Sequence, residues 1–342
     1  MKKTFTILSA AAVITLTAIS CAKEITSGKN DENRRYFDAW ISVHHPDVSP
    51  TPLGSYIIED IPGDGELLGE VSNSPYLYGT YTQRALNDTV IYTADRQLAK
   101  QVGSFDTTYY YGDAVWTRAD SGQVAGIEEI LGSMRVGGKR TVVIPGWLIT
   151  YSRYANAEEY LKHSSGYDNA IFTLSVSEII KDIEAWEIDS LERYMHRHYP
   201  GKDSTEWGFY YIQTQAPDDT ASAFEPEDKV YINYIGRRLD GQVFDCTVKD
   251  TALKHNIYKP SATYEETYVT WDTTAHTKLT LGEDATSVIP GFSRALFGMR
   301  SGEKGIAIFY SGLGYGSSRA GQIIPEYSPL IFELEMIGKE DE

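Results

Sequence analysis

The sequence is poor in cysteine. Among its 342 residues it has two cysteines, Cys21 and Cys246. Two cysteines exclude a framework of several disulfide bonds, and Cys246 is left without a partner if Cys21 is modified. Asp245 precedes Cys246, but no histidine motif lies nearby in the sequence. We therefore expect Cys246 to be a buried thiol with a packing role.

The sequence is also short of basic residues. Lys and Arg number 31, against 48 Asp and Glu, which gives a formal net charge of -17. Proteins that bind nucleic acid need a basic face that displaces counterions from phosphate groups. The composition therefore predicts no nucleic-acid partner, and the acidity is typical of a solvated surface.

Motifs for nucleophilic, nucleotide or metal chemistry are missing. No glycine-rich phosphate loop occurs, and residues 291–295 (GFSRA) lack the last glycine of a serine-hydrolase elbow. The close histidines at positions 44–45 and 196–198 have no carboxylate or cysteine at a ligand spacing. The sequence predicts neither a metal site nor a cofactor.

Long apolar runs are confined to the N-terminus. Lys2 and Lys3 precede a mostly apolar run over residues 5–19, and small residues precede Cys21. The run is short for a transmembrane helix and is typical of an export signal. It resembles the signal of bacterial lipoproteins, which implies a signal peptide over residues 1–20 and acylation of Cys21. A plain secretory signal stays the alternative, because Ala18 stands where that pattern usually has leucine.

Residues 21–33 are polar and have no hydrophobic periodicity. This composition is typical of a flexible tether. Together with the signal, the tether predicts a lipid-anchored protein of the bacterial cell envelope, which faces the periplasm or the cell surface.

Five segments recur in the same order along the chain, which predicts two copies of one fold. The pairs are residues 35–46 with 193–200, 54–58 with 208–212, 81–84 with 234–237, 126–139 with 291–304, and 171–174 with 331–334. We expect a first domain at 34–182, a connecting helix at 183–204 and a second domain at 205–342. The helix has Ile188, Leu191 and Met195 on one face, which suits a packed connector, a spacer or a dimerisation element.

Residues 229–245 (KVYINYIGRRLDGQVFD) predict a β-hairpin with its turn at Asp240-Gly241. Three further segments follow: residues 288–292 (VIPGF), the GYG and IIP motifs at 314–316 and 323–325, and residues 330–337 (LIFELEMI). In this order the segments resemble the FKBP-type peptidyl-prolyl cis-trans isomerases. The resemblance implies an α+β fold of tandem FKBP-like domains, each with a twisted antiparallel β-sheet wrapped on one short α-helix.

The same resemblance implies an isomerase that binds proline-containing polypeptides and needs no cofactor. It implies catalytic roles for Asp245, Phe244, Tyr315 and Phe292, the last standing where the family most often has tryptophan. The residues implied to bind the substrate are Tyr234, Val288, Ile289, Ile324 and Phe332. We expect this enzyme to assist the folding of exported proteins.

Two departures from the family pattern lie near the expected pocket. Residues 246–276 form a long insertion, which we expect to form a flap that selects or obstructs substrates. Thr277 stands where an aromatic residue is usual.

The first copy departs further. Ile91 and Tyr92 replace the Phe-Asp pair, Ile127 replaces the floor aromatic, and the GYG and IIP motifs are missing, so we expect a degenerate domain. A non-catalytic chaperone or proline-peptide-binding lipoprotein, a structural envelope lipoprotein, and a homodimer stay open.

Overall fold

The structure is a computed structural model in which residues 29–218, 223–272 and 279–339 are described. The expected signal peptide, Cys21, residues 22–28 of the expected tether and Thr277 lie outside the described residues.

The first half of the chain is a six-stranded sheet with short helices. Its elements are α1 (Lys29–His44), β1 (Tyr56–Ile61), β2 (Tyr76–Ala85), β3 (Val90–Thr93), α2 (Arg96–Gln101), β4 (Ala114–Thr117), α3 (Ala125–Leu131), β5 (Lys139–Ile144), α4 (Ala157–His163) and β6 (Ala170–Ile180). The strands are antiparallel and follow the order β1-β5-β6-β2-β3, and β4 also pairs with β2.

Helix α1 begins earlier than the sequence suggested. We expected residues 29–33 in the flexible tether, but the helix starts at Lys29. Asp31 and Glu32 lie in its first turn, where negative charge is favourable to the helix dipole. The Asn30 side chain donates to the carbonyls of Leu161 at 2.9 Å and Ser164 at 2.8 Å, which fixes this turn against the first half.

The second half repeats the layout of the first after helix α5 (Ile183–His198). Its elements are β7 (Phe209–Gln215), β8 (Lys229–Arg238), β9 (Val243–Cys246), α6 (Lys249–Lys254), β10 (Thr267–Thr270), β11 (Thr280–Leu281), β12 (Thr286–Ser287), α7 (Pro290–Phe297), β13 (Lys304–Phe309) and β14 (Leu330–Lys339). The strand order in the described part is β12-β11-β10-β8-β14-β13-β7, with β9 also on β8.

The two sheets have one topology. Strands β7, β13, β14 and β8 pair in the order of β1, β5, β6 and β2, and β9 and β10 pair with β8 as β3 and β4 pair with β2. Helices α3 and α7 precede the corresponding strands β5 and β13. Residues at equivalent positions in the strand pairing of the two sheets can therefore be compared.

Each sheet packs on the short helix that precedes its β5 or β13 strand. In the first half Ile130 and Leu131 of α3 join the core of the sheet, and in the second half Phe292 and Leu296 of α7 do so. This is the α+β layout that the sequence predicted.

Helix α5 is a packed connector. The Asp182 side chain caps it by accepting from the backbone N–H groups of Glu184 and Ala185. Leu191 and Met195 pack against Tyr210, Ile308 and Ile331 on the outer face of the second sheet. Burial of this apolar face fixes the helix on the second half.

The two halves contact each other through loops. Tyr110 N donates to Gln322 O at 2.8 Å, and Gln242 Nε2 donates to Thr107 O at 2.7 Å. The rings of Tyr76 and Tyr327 meet edge to face, with centroids 5.6 Å apart. Within the described ranges, no helix has the length and apolarity to cross a bilayer.

Candidate active site

The hairpin of β8 and β9 brings together a tyrosine and a carboxylate. Arg238 N donates to Gln242 O at 3.1 Å across the turn, and Gly241 takes a φ of 83°, which glycine adopts without strain. The paired strands place Tyr234 near Asp245, and the Tyr234 hydroxyl donates to Asp245 Oδ2 at 2.8 Å. The predicted hairpin is confirmed, and the hydrogen bond adds a contact that the sequence did not suggest.

Three further aromatic rings, those of Phe244, Phe292 and Phe332, form a cluster with the Tyr234 ring of this pair. Phe292 of α7 meets the rings of Tyr234 at 5.5 Å and Phe332 at 5.0 Å, both edge to face. Phe244 meets Phe332 edge to face at 5.7 Å. Phe292 and Phe332 are almost fully buried. Edge-to-face contacts of this kind contribute beyond the apolar area that they bury, so the cluster is a rigid floor beneath Asp245.

Gly236 allows these rings to pack so closely. A Cβ at this position of β8 would lie 2.7 Å from Phe244 ring atoms and 3.0 Å from Phe332. Gly236 pairs with Asp245 on one side and with Phe332 on the other. In the first sheet Gln83 pairs with Tyr92 and Phe172 in the same way, so a side chain stands where the second sheet has none.

Burial and charge keep the site's tyrosines protonated. Burial first, and then the neighbouring Asp245 carboxylate, raise the pKa of the Tyr234 hydroxyl. The same two causes, in the same order, raise the pKa of Tyr315. Both hydroxyls therefore carry their protons at neutral pH and can donate hydrogen bonds.

Tyr315 lies on a loop that is anchored from helix α5. The Ser311 backbone N–H and hydroxyl donate to the two carboxylate oxygens of Glu187, each at 2.8 Å. Tyr315 itself is 39% exposed, so its hydroxyl is open to a ligand. Ile324, expected to cover the substrate, is buried, and Ala320 N donates to its carbonyl at 3.0 Å.

Val288 and Ile289 lie at the start of helix α7. Both are partly buried and pack against the core that contains Phe292. Ile289 is the N-cap residue of α7, and Pro290 at the first helical position has no N–H group. The positive end of the helix dipole is thus directed toward Ile289, where a carbonyl oxygen would be favoured.

The open cavity beside Asp245 has a volume of about 330 Å³. Three of the predicted site residues line it: Tyr234, Phe244 and Asp245. Val288, Ile289, Phe292, Tyr315, Ile324 and Phe332 do not line it, and three of these are buried in the floor beneath. The structure therefore brings the predicted residues into one region but divides them between an open wall and a packed floor.

The rest of the cavity wall comes from segments outside the predicted set. Residues 262–267 line it, so the segment that we expected to form a flap does border the site. That segment is not a simple insertion, because its end forms strand β10 on β8. Ile323 and, from the first half, Thr108 also line the cavity, as do Cys246, Thr247, Ile257, Lys259 and Leu281. The residues around Thr108 carry no sequence motif, so reasoning from sequence missed this contribution.

Other chemistry near the site finds no support in the described residues. Cys246 is free and buried, and burial raises the pKa of its thiol, as expected for a packing role. In the part of the chain that the structure describes, no group of three or more histidine, cysteine, aspartate or glutamate side chains is placed to hold a metal ion.

Comparison with known proteins agrees with this geometry. Residues 220–337 match the family described as FKBP-type peptidyl-prolyl cis-trans isomerase. FK506-binding protein 2 of Dictyostelium discoideum is 32% identical over 123 residues, which cover 36% of this chain and 73% of that protein. The peptidyl-prolyl cis-trans isomerase Mip of Chlamydia trachomatis is 30% identical over 125 residues, which cover 36% of this chain and 39% of that protein.

The chain therefore belongs to the FKBP-type peptidyl-prolyl cis-trans isomerases. As an enzyme it is a peptidyl-prolyl cis-trans isomerase, as the sequence predicted. The match falls on the second half, which contains Tyr234 and Asp245.

Two solved structures of related proteins also align with this chain. The three FKBP domains of wheat FKBP73 align over 86% of this chain and all of theirs, with 16% identity and a TM-score of 0.29. FkpA of Escherichia coli aligns over 45% of this chain and 61% of its own, with 21% identity and a TM-score of 0.30.

Proposed function

We propose that the second half carries the isomerase site, with Asp245, Phe244, Tyr315 and Phe292 as catalytic residues. Tyr234, Val288, Ile289, Ile324 and Phe332 would bind the substrate. The observation that carries this proposal is the Tyr234–Asp245 hydrogen bond at 2.8 Å above a floor of edge-packed aromatic rings.

The reaction needs a cavity of this kind and no nucleophile. Amide resonance opposes rotation about a peptide bond by roughly 18–20 kcal/mol. In the twisted transition state the nitrogen is no longer conjugated, so an apolar and water-poor cavity can bind this state better than the planar amide. Each tenfold gain in rate needs about 1.4 kcal/mol of that preference. The rings of Tyr234 and Phe244 line the cavity and supply its apolar surface, and the buried rings of Phe292 and Phe332 pack against them.

The polar groups orient the peptide. Asp245 is exposed beside the cavity, and its bond to Tyr234 fixes the position of the carboxylate at the carbonyl side of the bound X-Pro bond. The Tyr315 hydroxyl, protonated because its pKa is raised, donates to a substrate carbonyl. The Ile289 N–H at the start of α7 donates to a second carbonyl. Positioning by these groups restricts the substrate to conformations close to the twisted state.

We propose two domains with different tasks. The equivalent strand orders support a first domain that ends near residue 182, a connecting helix at 183–204 and a second domain at 205–342. We place the start of the first domain at residue 29, because helix α1 packs on it through Phe37. The first domain lacks a counterpart of Asp245, since Tyr92 takes that position in the register.

We propose that the protein acts on exported polypeptides. The N-terminal signal pattern and Cys21, which lie outside the described residues, support export and lipid anchoring in the cell envelope. The test is Cys21→Ser, with intact mass and fractionation as readouts. Acylation at Cys21 and a shift of the variant from membrane to soluble material would agree with the proposal. A mature protein with a free N-terminus and no lipid would contradict it.

The folding role has a separate test. The full-length protein should accelerate the slow refolding phase of a protein whose refolding is limited by X-Pro isomerisation, a process of tens to hundreds of seconds without a catalyst. Asp245→Ala should remove the acceleration.

A second candidate function is binding without isomerisation. It is favoured by residues 262–267 and Thr108, which line the cavity beside Asp245 together with the predicted site residues. An increased refolding yield with an unchanged slow phase would support this alternative and contradict the catalytic role.

A further inference from the structure

The first sheet has a cavity of its own. It lies between the sheet and helix α3 and has a volume of about 590 Å³, larger than the cavity beside Asp245. Five aromatic side chains line it: those of Tyr81, Tyr92, Trp116 and Phe172 on the sheet, and that of Tyr151. The Tyr81 ring lies 4.6 Å from that of Tyr92 and 5.9 Å from that of Trp116. A cavity of this size and lining is typical of ligand sites in proteins.

Two substitutions relative to the second sheet explain the larger volume. Ile127 of helix α3 stands where α7 has Phe292, so the ring that fills the floor of the second site is missing here. Ile91 stands where β9 has Phe244, but it is 58% exposed and does not line the cavity. The space left by these two rings stays open.

The polar groups at the rim differ in kind from those of the second site. Tyr92 occupies the register position of Asp245, so the carboxylate is lost. Arg319, from the loop that also carries Tyr315, lines the cavity. The guanidinium carbon of Arg319 lies 5.9 Å from the centre of the Tyr92 ring, and Arg319 Nε lies 3.6 Å from Glu326. At the register position of Asp245 the rim thus has a tyrosine, and its charged groups are the Arg319 guanidinium and the Glu326 carboxylate with which it pairs.

These features define a ligand class. Arg319 and Glu326 are the charged residues among those that line the cavity, and their opposite charges cancel. A lining with no net charge suits an uncharged segment. A guanidinium has five N–H groups, enough to serve its present partners and a peptide carbonyl. Burial raises the pKa of Tyr81 to about 12, so its hydroxyl stays protonated and adds a donor. The aromatic walls suit a ring wider than that of proline.

We propose that this cavity is a second binding site, which takes an aromatic side chain of an extended, uncharged polypeptide segment. The four aromatic rings on the sheet hold the side chain, and Arg319 of the second half donates to the adjacent peptide carbonyl. The site binds without isomerising, because it lacks a carboxylate at the position of Asp245 and is too wide to enclose a proline ring. It does not depend on the isomerase activity of the second half.

The test uses the full-length protein and two blocked peptides, Ac-Ala-Ala-Phe-Ala-Ala-NH2 and its all-alanine counterpart. Neither peptide contains proline, so isomerisation does not enter the measurement. Titration calorimetry gives the affinity. Tryptophan fluorescence reports binding in this cavity if the change in fluorescence on adding peptide is lost in Trp116→Phe. We expect the phenylalanine peptide to bind and the alanine peptide to bind at least about tenfold more weakly, a difference of about 1.4 kcal/mol.

Variants locate the site. Ile127→Trp fills the cavity, and Arg319→Met removes the donors, so each should weaken binding of the phenylalanine peptide by about tenfold or more. Phe244→Ala, in the second site, should leave the affinity within about twofold. Arg319 is on the surface, so Arg319→Met should fold. If circular dichroism shows that Ile127→Trp is unfolded, the peptide affinity of Arg319→Met tests whether the peptide binds in this cavity.

Three results would overturn the proposal. One is the absence of binding at millimolar peptide. The second is equal affinity for the two peptides. The third is a loss of binding in Phe244→Ala with full binding in Arg319→Met, which would move the peptide to the second site.

Discussion

The guanidinium carbon of Arg238 lies 4.8 Å from the centre of the Tyr110 ring, so a cation of the second sheet rests on an aromatic ring of the first half. Arg238 is buried, and its Nη1 donates to Ile323 O at 2.5 Å. Tyr110 N donates to the neighbouring Gln322 O. The first half therefore supports the segment that borders the cavity beside Asp245.

Loss of the Tyr110 ring should weaken the isomerase site from a distance. Tyr110→Leu removes the cation–π contact, which contributes about 0.5–2 kcal/mol, so kcat/KM should fall by roughly 2- to 30-fold. Tyr109→Leu, at the neighbouring position, is the matched control. A double-mutant cycle with Arg238→Met measures the coupling directly. A coupling energy near zero would show that the two residues act independently.

The close approach of rings at Gly236 gives a second prediction. Gly236→Ala places a Cβ 2.7 Å from Phe244 and 3.0 Å from Phe332, so these rings must shift. Overpacking of this kind costs about 1–3 kcal/mol of stability. We expect kcat/KM to fall by about tenfold or more, because the floor loses its shape.

The control for this variant is Gly298→Ala. There the nearest atom to the new Cβ is 3.5 Å away and the φ is -85°, so the methyl group fits. Wild-type kinetics in Gly236→Ala would show that the packing of Phe244 on Phe332 is unimportant for the site.

Glu187 should make stability depend on pH. The side chain is buried, and burial raises its pKa from 4.5 to about 7, although two hydrogen bonds from Ser311 oppose the shift. Between these values the folded protein holds a proton that the unfolded chain has lost. The free energy of unfolding therefore falls as pH rises from about 4.5 through about 7. The contribution is on the order of 3 kcal/mol.

Glu187→Gln removes this titration and keeps the shape of the side chain. Urea unfolding at several pH values should show a flatter profile over this window in the variant than in the wild type. Glu192→Gln, on the same helix but exposed and not among the groups that shift the pKa of Glu187, is the control and should keep the wild-type slope. Parallel profiles for Glu187→Gln and the wild type would mean that Glu187 does not titrate in this range.

The sequence predicted the fold through local patterns. The alternation of apolar and polar residues in β8 and the Asp240-Gly241 turn specify a hairpin without tertiary information. The recurrence of five sequence segments indicated two sheets of one topology. Residues 29–33, which we expected in the tether, belong to helix α1, since Asn30 holds this polar segment through contacts with residues more than 130 positions away.

The candidate site was predictable only in part. Residues that lie in motifs, such as Asp245 and Phe292, were identified by their order along the chain. The contributions of Thr108 and Tyr110 depend on how the two halves meet, and no periodicity or motif encodes that contact. The role of Gly236 likewise appears only when the rings of Phe244 and Phe332 are in place.

The most direct test of the central claim is a prolyl isomerisation assay on the full-length protein, with Asp245→Ala beside it. Asp250→Ala, an exposed aspartate in the first turn of α6, is the matched control. The wild type and the control should accelerate cis-trans exchange of a short X-Pro peptide. Asp245→Ala, still folded, should lose about tenfold or more of kcat/KM. A wild-type rate in Asp245→Ala, or no acceleration by the wild type, would contradict it.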